Sequence, residues 1–350
     1  MSVTDFDKRR NKILSITVQA YIATALPVGS QFVARKLRSS WSSATIRNVM
    51  AELEKVGLLE QPHTSAGRIP TDRGYRFYVD SVMEVPHLPG EQLRQIEAAI
   101  QPIELDLDHL LEQAGLILSQ LTQQTAFVVA PTVKQSTVKQ IELVPLSVRK
   151  LLCVLISNEE IVASHVVETT EPVTRDEALA LARFLNTELV GLSFSALLSL
   201  LERRMLAESD SFYHLVKRSL TILQHALSTE PDERLWLEGT SYVVSQPEFR
   251  KDPHKAHEVL KGLDAEELLL ERIREDIAGG GVKTRIGHEL RVPGLDECSY
   301  VAAPFAVGDE AVGAIGILGP KRMDYPRMHS YVEAMGRCVT ELLAQWEQEI

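Results

Sequence analysis

Cysteine is scarce in this chain: three in 350 residues, at Cys153, Cys298 and Cys338, with no Cys-x-x-Cys pair. That isolation argues against a disulfide scaffold or a thiolate metal ribbon and predicts buried thiols in a reducing compartment, hence a cytoplasmic protein. Long apolar runs are also missing. No stretch reaches the roughly 20 residues that a membrane-spanning helix needs, and no secretory signal is recognisable, so no membrane partner is expected. Aromatic residues make up only 6% while hydrophobic residues together reach 45%, which leaves aliphatic side chains to fill the cores. A chain of this length supports about two or three packed domains.

Catalytic signatures are absent as well. Ala278-Gly279-Gly280-Gly281-Val282-Lys283-Thr284 lacks the adjacent Gly-Lys of a phosphate-binding loop and reads as a loop before a strand. Gly191-Leu192-Ser193-Phe194-Ser195 lacks the closing glycine of a nucleophile elbow. His254 and His257 have no third ligand nearby, and His288-Glu289 has no second histidine to complete a zinc helix. The expectation is a protein that is not an enzyme and holds neither metal nor cofactor.

Positive charge is scarce overall and unevenly placed. The chain carries a formal net charge of -11, yet residues 1–80 hold 12 Lys and Arg against 7 Asp and Glu, and the remainder holds 25 against 41. A cationic head on an acidic body fits a polyanion ligand for the head alone.

Within that head, Ser42-Ser43-Ala44-Thr45-Ile46-Arg47-Asn48 opens a helical pattern with small and polar side chains. Ile46, Val49, Met50, Leu53 and Val56 recur at intervals of three or four and share one face; Gly57 then ends the helix. A helix that enters the major groove meets bases with its N-terminal residues, so Ser42, Ser43, Thr45, Arg47 and Asn48 are candidate groove contacts. Upstream, Lys8 to Thr24 reads as a helix broken by Pro27-Val28-Gly29, and Ser30 reads as the N-cap of a second helix through Leu37. Downstream, Leu58-Leu59-Glu60 and Ile69 read as short strands around a loop holding His63, Thr64, Ser65 and Arg68, the candidate wing contacts. Pro70-Thr71 halts the return strand, and Thr71 caps a further helix. The order is that of a winged helix-turn-helix, although a protein-docking module shares it.

The residues Pro27 to Ser30, Ser42 to Asn48 and Gly57 to Asp80, together with the distant Gly316-Ile317-Leu318-Gly319-Pro320-Lys321-Arg322-Met323-Asp324-Tyr325, resemble the HrcA family of bacterial heat-inducible transcription repressors. The resemblance implies a homodimer that binds double-stranded DNA at an inverted-repeat operator called CIRCE, upstream of chaperone genes, with activity modulated by the chaperonin. It also implies an α+β multidomain fold: a winged helix-turn-helix over 1–84, a linker at 85–90, a GAF-like α+β domain over 91–137 and 231–350, and an inserted dimerisation domain over 138–230.

The residues of the body fit that division. Glu91 to Gln101 and Leu107 to Gln123 read as helices and Thr125 to Val129 as a buried strand, after which Lys139 to Val144, Leu151 to Ile156 and Ile161 to Val167 suggest an antiparallel meander. Thr174 to Glu177 forms a capping box before a helix through Val190. The helical block it opens is apolar on more than one face, including Leu197, Leu198, Leu200 and Leu201, which points to a dimer partner or a self-contained core. Strands are expected at Leu235 to Leu237, Tyr242 to Ser245, Val282 to Ile286, Tyr300 to Ala306 and Val312 to Leu318, with a helix between Pro253 and Asp276 and a last helix carrying Met328, Tyr331, Val332, Met335, Val339, Leu342, Leu343 and Trp346 on a stripe. Two alternatives stay open: a ligand-responsive regulator whose GAF-like domain binds a small effector, and an enzyme carrying a DNA-binding head.

Overall fold

Helix α1 spans Val3–Thr24 and ends where Ala25 takes a φ of +56°, just ahead of Pro27. It begins before Lys8, where the apolar pattern is first readable. The computed structural model describes residues 3–37, 41–63, 66–100, 107–131, 137–157, 162–169, 171–188, 192–205, 210–228, 233–277, 279–307 and 310–349. These form an α+β arrangement of fourteen helices and ten strands in three sheets.

Helix α2 covers Ser30–Leu37 and α3 covers Ser43–Lys55. Ser30 lies inside α2 and is not its cap. The Gly29 carbonyl accepts from Val33 N at 3.3 Å, while Ser30 Oγ sits 2.9 Å from Ser43 Oγ and pins the two helices together. Strand β1, Leu59–Glu60, pairs antiparallel with β2, Ile69–Pro70, so Pro70 belongs to the strand it was expected to stop. Helix α4, Asp72–Ser81, is capped by Thr71, whose Oγ1 accepts from Gly74 N at 3.0 Å and donates to the Gly57 carbonyl at 2.7 Å. That hydroxyl joins the start of α4 to the turn that ends α3. Ile13, Leu14, Val18, Val33, Ile46, Met50, Leu53 and Tyr78 form the buried centre of this head.

Residues 83–89 carry no helix or strand, and the Ser330 hydroxyl donates to the Pro86 carbonyl at 2.5 Å. Helices α5, Gly90–Ala99, and α6, Leu107–Thr122, then lead into β3, Thr125–Pro131. A separate unit follows: β4, Val138–Ser147, β5, Lys150–Ser157, and β6, Val162–Glu168, form an antiparallel meander, followed by α7, Arg175–Glu188, α8, Phe194–Met205, and α9, Asp210–Ser228. The capping box opens α7, with Thr174 N donating to Glu177 at 2.8 Å and Glu177 N to Thr174 Oγ1 at 3.3 Å. Val190 lies outside the described residues.

The apolar surplus of these helices is absorbed at home. Ala178, Leu181, Leu185, Phe194, Leu197, Leu201, Val216, Leu220 and Leu223 pack with Ile141, Leu151, Cys153 and Leu155 into a core of their own. Leu179 of α7 and Val148 of the β4–β5 turn stay exposed, and so does the opposite face of the meander. There Val144, Leu152 and Val166 stand side by side across the three strands, with Val144 44% and Val166 56% exposed.

Strand β7, Glu233–Glu238, returns beside β3, and α10, Thr240–Ser245, follows. The strand expected over Tyr242 to Ser245 is therefore a short helix, whose Val243 is buried in the core beneath it. Helices α11, Pro247–Arg250, α12, Pro253–Asp264, and α13, Glu266–Ile277, complete that layer. The helix expected from Pro253 is interrupted at Ala265, where ψ is 55°, and its carbonyl accepts from Leu268 and Leu269 as a new helix starts. Strands β8, Lys283–Ile286, β9, Cys298–Val307, and β10, Glu310–Pro320, precede the last helix, α14, Tyr325–Glu349.

The five strands run antiparallel in the order β7-β3-β10-β9-β8. Strand alternation divides the side chains between two layers. Ala126, Val128, Val301, Ile315 and Ile317 meet α6 and α14, while Phe127, Val129, Tyr300, Ala302 and Leu318 meet α10 to α13. Most of the expected stripe of α14 is the first layer's seam: Met328, Tyr331, Val332, Met335, Val339 and Leu343 are buried there, Leu342 is half-buried against it, and the Trp346 side chain lies outside the described residues. The head packs into this same layer, where the Tyr75 and Tyr325 rings lie 5.8 Å apart.

Candidate nucleic-acid interface

Helix α3 forms because its first turn is capped and its apolar residues fall on one side. Ser42, in an extended conformation, accepts from Thr45 N at 3.1 Å. This satisfies one of the amide groups left open at a helix start, an interaction worth about 1 kcal/mol. Ile46, Val49, Met50 and Leu53 are buried, whereas Val56, expected on the same stripe, is 44% exposed because it lies at the C-cap where the chain turns away. Gly57, at a φ of +76°, makes that turn. A β-carbon there would lie 3.3 Å from Arg73.

The expected groove contacts divide by what already occupies them. The Ser42 hydroxyl is the cap, 2.9 Å from Thr45 Oγ1, and Ser43 is half-buried against Ser30. Thr45, Arg47 and Asn48 are exposed on the turns that lead away from the core.

The hairpin beside α3 is built by close backbone approach. Val28 and Arg68 exchange backbone hydrogen bonds of 2.9 Å in each direction. A β-carbon on Gly67 would lie 2.4 Å from the Val28 carbonyl carbon, so only glycine fits. Arg68 does not extend from a tip. Its Nε donates to Glu54 Oε2 at 2.9 Å, its second nitrogen lies 2.8 Å from the same oxygen, and the side chain is only 15% exposed. His63 is exposed and its carbonyl accepts from Ala66 N at 2.8 Å; Thr64 and Ser65 lie outside the described residues. Between the hairpin, the start of α2 and α3 lies an open cleft of about 520 Å³, lined by Gly29, Gln31, Arg47, Gln61 and Arg68 among others.

Sequence reasoning named no residue of α1 as a candidate contact. Lys8 and Lys12, one turn apart, are both exposed, and the Arg9 guanidinium lies 5.0 Å over the ring of Trp41, the residue before the α3 cap. The signal was available as the cluster Lys8-Arg9-Arg10 with Lys12, but its place beside α3 depends on how the helices pack. The distant motif ending at Tyr325 lies at the head–body seam, where Lys321 Nζ is 2.9 Å from Asp72 and Arg322 donates to the Ile22 carbonyl.

Among the described residues no cluster of three or more His, Cys, Asp or Glu side chains could hold a metal ion, and no helix is long and apolar enough to cross a membrane. The three thiols are buried; burial pushes Cys338 up to about 11 and Cys153 up to about 12. Neither is a ready nucleophile.

Comparison with known proteins places this arrangement. The family model for the HrcA protein C terminal domain matches residues 108–328. The heat-inducible transcription repressor HrcA of Pelotomaculum thermopropionicum is 36% identical over 337 residues, covering 96% of this chain and 97% of that protein. Its counterpart in Symbiobacterium thermophilum is 38% identical over 337 residues, covering 96% and 98%. A crystal structure of a hypothetical protein, solved at 2.2 Å, shares the fold with a TM-score of 0.59 and 24% identity, over 98% of this chain and 99% of that one. The chain belongs to the HrcA family of heat-inducible transcription repressors.

Proposed function

We propose that this chain represses heat-shock genes by binding, as a homodimer, an inverted-repeat operator of the CIRCE kind upstream of chaperone genes. In this reading residues 1–84 are a winged helix-turn-helix, 85–90 a linker, 91–137 and 231–350 a GAF-like domain, and 138–230 a dimerising insert. The observation that carries it is the division of α3 into a buried face and an open one presenting Thr45, Arg47 and Asn48 beside the cleft. Side chains that donate and accept hydrogen bonds at the start of an exposed helix suit base edges in the major groove.

The aliphatic row Val144, Leu152 and Val166 on the open face of the meander supports the dimer. A second copy laid on that face removes the row from water, and a twofold axis there relates two recognition helices to the two halves of an inverted repeat. The chaperonin enters through the family alone; in this reading it keeps the repressor in its DNA-binding form.

The test is a titration against inverted-repeat and scrambled duplexes at two salt concentrations, with and without chaperonin, alongside sedimentation of the free protein. The reading expects a dimer, a clear preference for the repeat and tighter binding with chaperonin. A Val166→Glu variant is expected to sediment as a monomer. Equal affinity for the two duplexes at both salts overturns the operator reading.

A further inference from the structure

Three cationic side chains span the seam between head and body, and each makes contacts on both sides. Lys321, in the turn after β10, places Nζ 2.9 Å from Asp72 at the start of α4 and 3.4 Å from Glu297 of the body. Beside it, Arg322 donates to the Ile22 carbonyl near the end of α1 and also holds Glu248 of the body. Arg76 reaches the opposite way: from α4 it donates to Glu289 and, at 2.6 Å, to the Thr284 carbonyl, while also pairing with Asp80 of its own helix at 3.1 Å.

Of the acceptors, Glu289 is oriented independently of the head, whereas Asp72 is the head's own carboxylate and is held by groups of the body. Glu289 also accepts from the backbone N of Ile286 at 3.0 Å, so its carboxylate is fixed by the body before the arginine arrives. Asp72 also accepts from His288 N at 3.4 Å, and its oxygen lies 2.2 Å from where a β-carbon on Gly287 would stand. Gly287, at a φ of +55°, is thus the residue that lets the head's carboxylate come in. The cations are 15% to 28% exposed, well shielded compared with a surface ion pair.

These contacts grip the head at two helices, the end of α1 and the first half of α4. One contact would leave a pivot; anchors on two elements also fix rotation. Residues 83–89 connect the parts as chain without helix or strand, with Met83 and Leu88 packed on the apolar cluster that head and body share, so the direction in which α3 points is set by that packing, the Tyr75–Tyr325 pair and the clamp together.

We propose that Asp72, Arg76, Glu289, Lys321 and Arg322 are positioning residues that determine which half-site spacing the dimer accepts. The inference rests on the dimeric operator reading above. Adding one base pair between half-sites moves the second by about 3.4 Å and turns it by about 35°. A clamped head cannot follow that turn, so the DNA must deform and affinity falls; a head released onto its linker follows it. None of the five residues belongs to the exposed face of α3, so releasing the clamp leaves the binding of one head to one half-site in place.

The test uses the full-length protein and inverted repeats recovered by selection from randomised duplexes, with the spacer then changed one base pair at a time. Wild type is expected to lose about tenfold in affinity per base pair away from its optimum. An Arg76→Ala/Lys321→Ala variant, and separately the milder Glu289→Gln, are expected to flatten that dependence to less than about threefold while changing affinity for an isolated half-site less than about twofold. Proteolysis within residues 83–89 is expected to speed up in both variants, with the thermal transition of the body retained. A spacing dependence as steep in the variants as in wild type, with faster linker cleavage, overturns the proposal. If wild type selects no inverted repeat, the operator reading fails first, and the outcome is recognisable as that failure.

Discussion

Arg68 of the hairpin meets Glu54 of α3 through two of its nitrogens, at 2.9 and 2.8 Å from a single carboxylate oxygen. The guanidinium expected among the wing contacts here joins the hairpin to α3. For a half-buried pair of this kind, a double-mutant cycle between Arg68→Ala and Glu54→Ala is expected to give a coupling of about 0.5–1 kcal/mol in thermal or urea unfolding. A coupling near zero, with operator affinity lost only when Arg68 is replaced, would assign Arg68 to DNA instead.

Gly74 lies inside α4, yet a β-carbon there would stand 2.0 Å from the Leu58 carbonyl oxygen. Replacement by alanine, which favours helices, is expected to destabilise the head by about 1–3 kcal/mol through overpacking against fixed backbone. Urea unfolding of the variant decides: a more stable protein would show that helix propensity outweighs the contact.

Lys8 and Lys12 are exposed on α1, the helix whose Arg9 lies over Trp41 just before α3. If both meet phosphates, Lys8→Gln/Lys12→Gln lowers the salt slope of binding by about two, with the same affinity loss on operator and scrambled duplexes. A loss confined to the operator would instead make them readers of base edges.

His329 of α14 lies with Nε2 2.6 Å from Thr284 Oγ1, and burial, aided by the nearby Arg76 charge, lowers its pKa to about 4. Its ordinary value is 6.5, so the unfolded chain takes up this proton at higher pH than the folded one. The neutral ring's contribution is complete above pH 6.5 and falls progressively as the pH drops toward 4, by roughly 3 kcal/mol in all. Thermal melts across this range, with the His329 ring followed by NMR, test the sign, and Arg76→Ala is expected to raise the ring's pKa. A stability independent of pH between these values would contradict the assignment.

Local chemistry was readable from sequence wherever a few adjacent residues settle the structure. The Thr71 cap, the Gly57 turn, the Thr174–Glu177 box and the antiparallel meander all belong to this class. Tyr242 to Ser245 misled because aromatic and β-branched residues favour strands in general, while here Val243 is held in a helix by the sheet it covers. The break at Ala265 was hidden by an apolar period that continues through Leu263 and Leu269, although Glu266 and Glu267 mark a fresh first turn. Of the site, the polar start of α3 was legible; the partners of Arg68 and Arg76 were not. Arg76 and Glu289 stand 213 positions apart, and only the packed head brings them together.

The most direct measurement is binding of wild type and Arg47→Ala to operator and scrambled duplexes at two salt concentrations. Arg47 is exposed on the open face of α3, so its loss should leave folding unchanged. The account predicts that the variant loses about 1–3 kcal/mol on the operator and much less on scrambled DNA, which would identify a base contact. Equal losses on both duplexes, or none on either, would contradict the claim that this helix reads the operator.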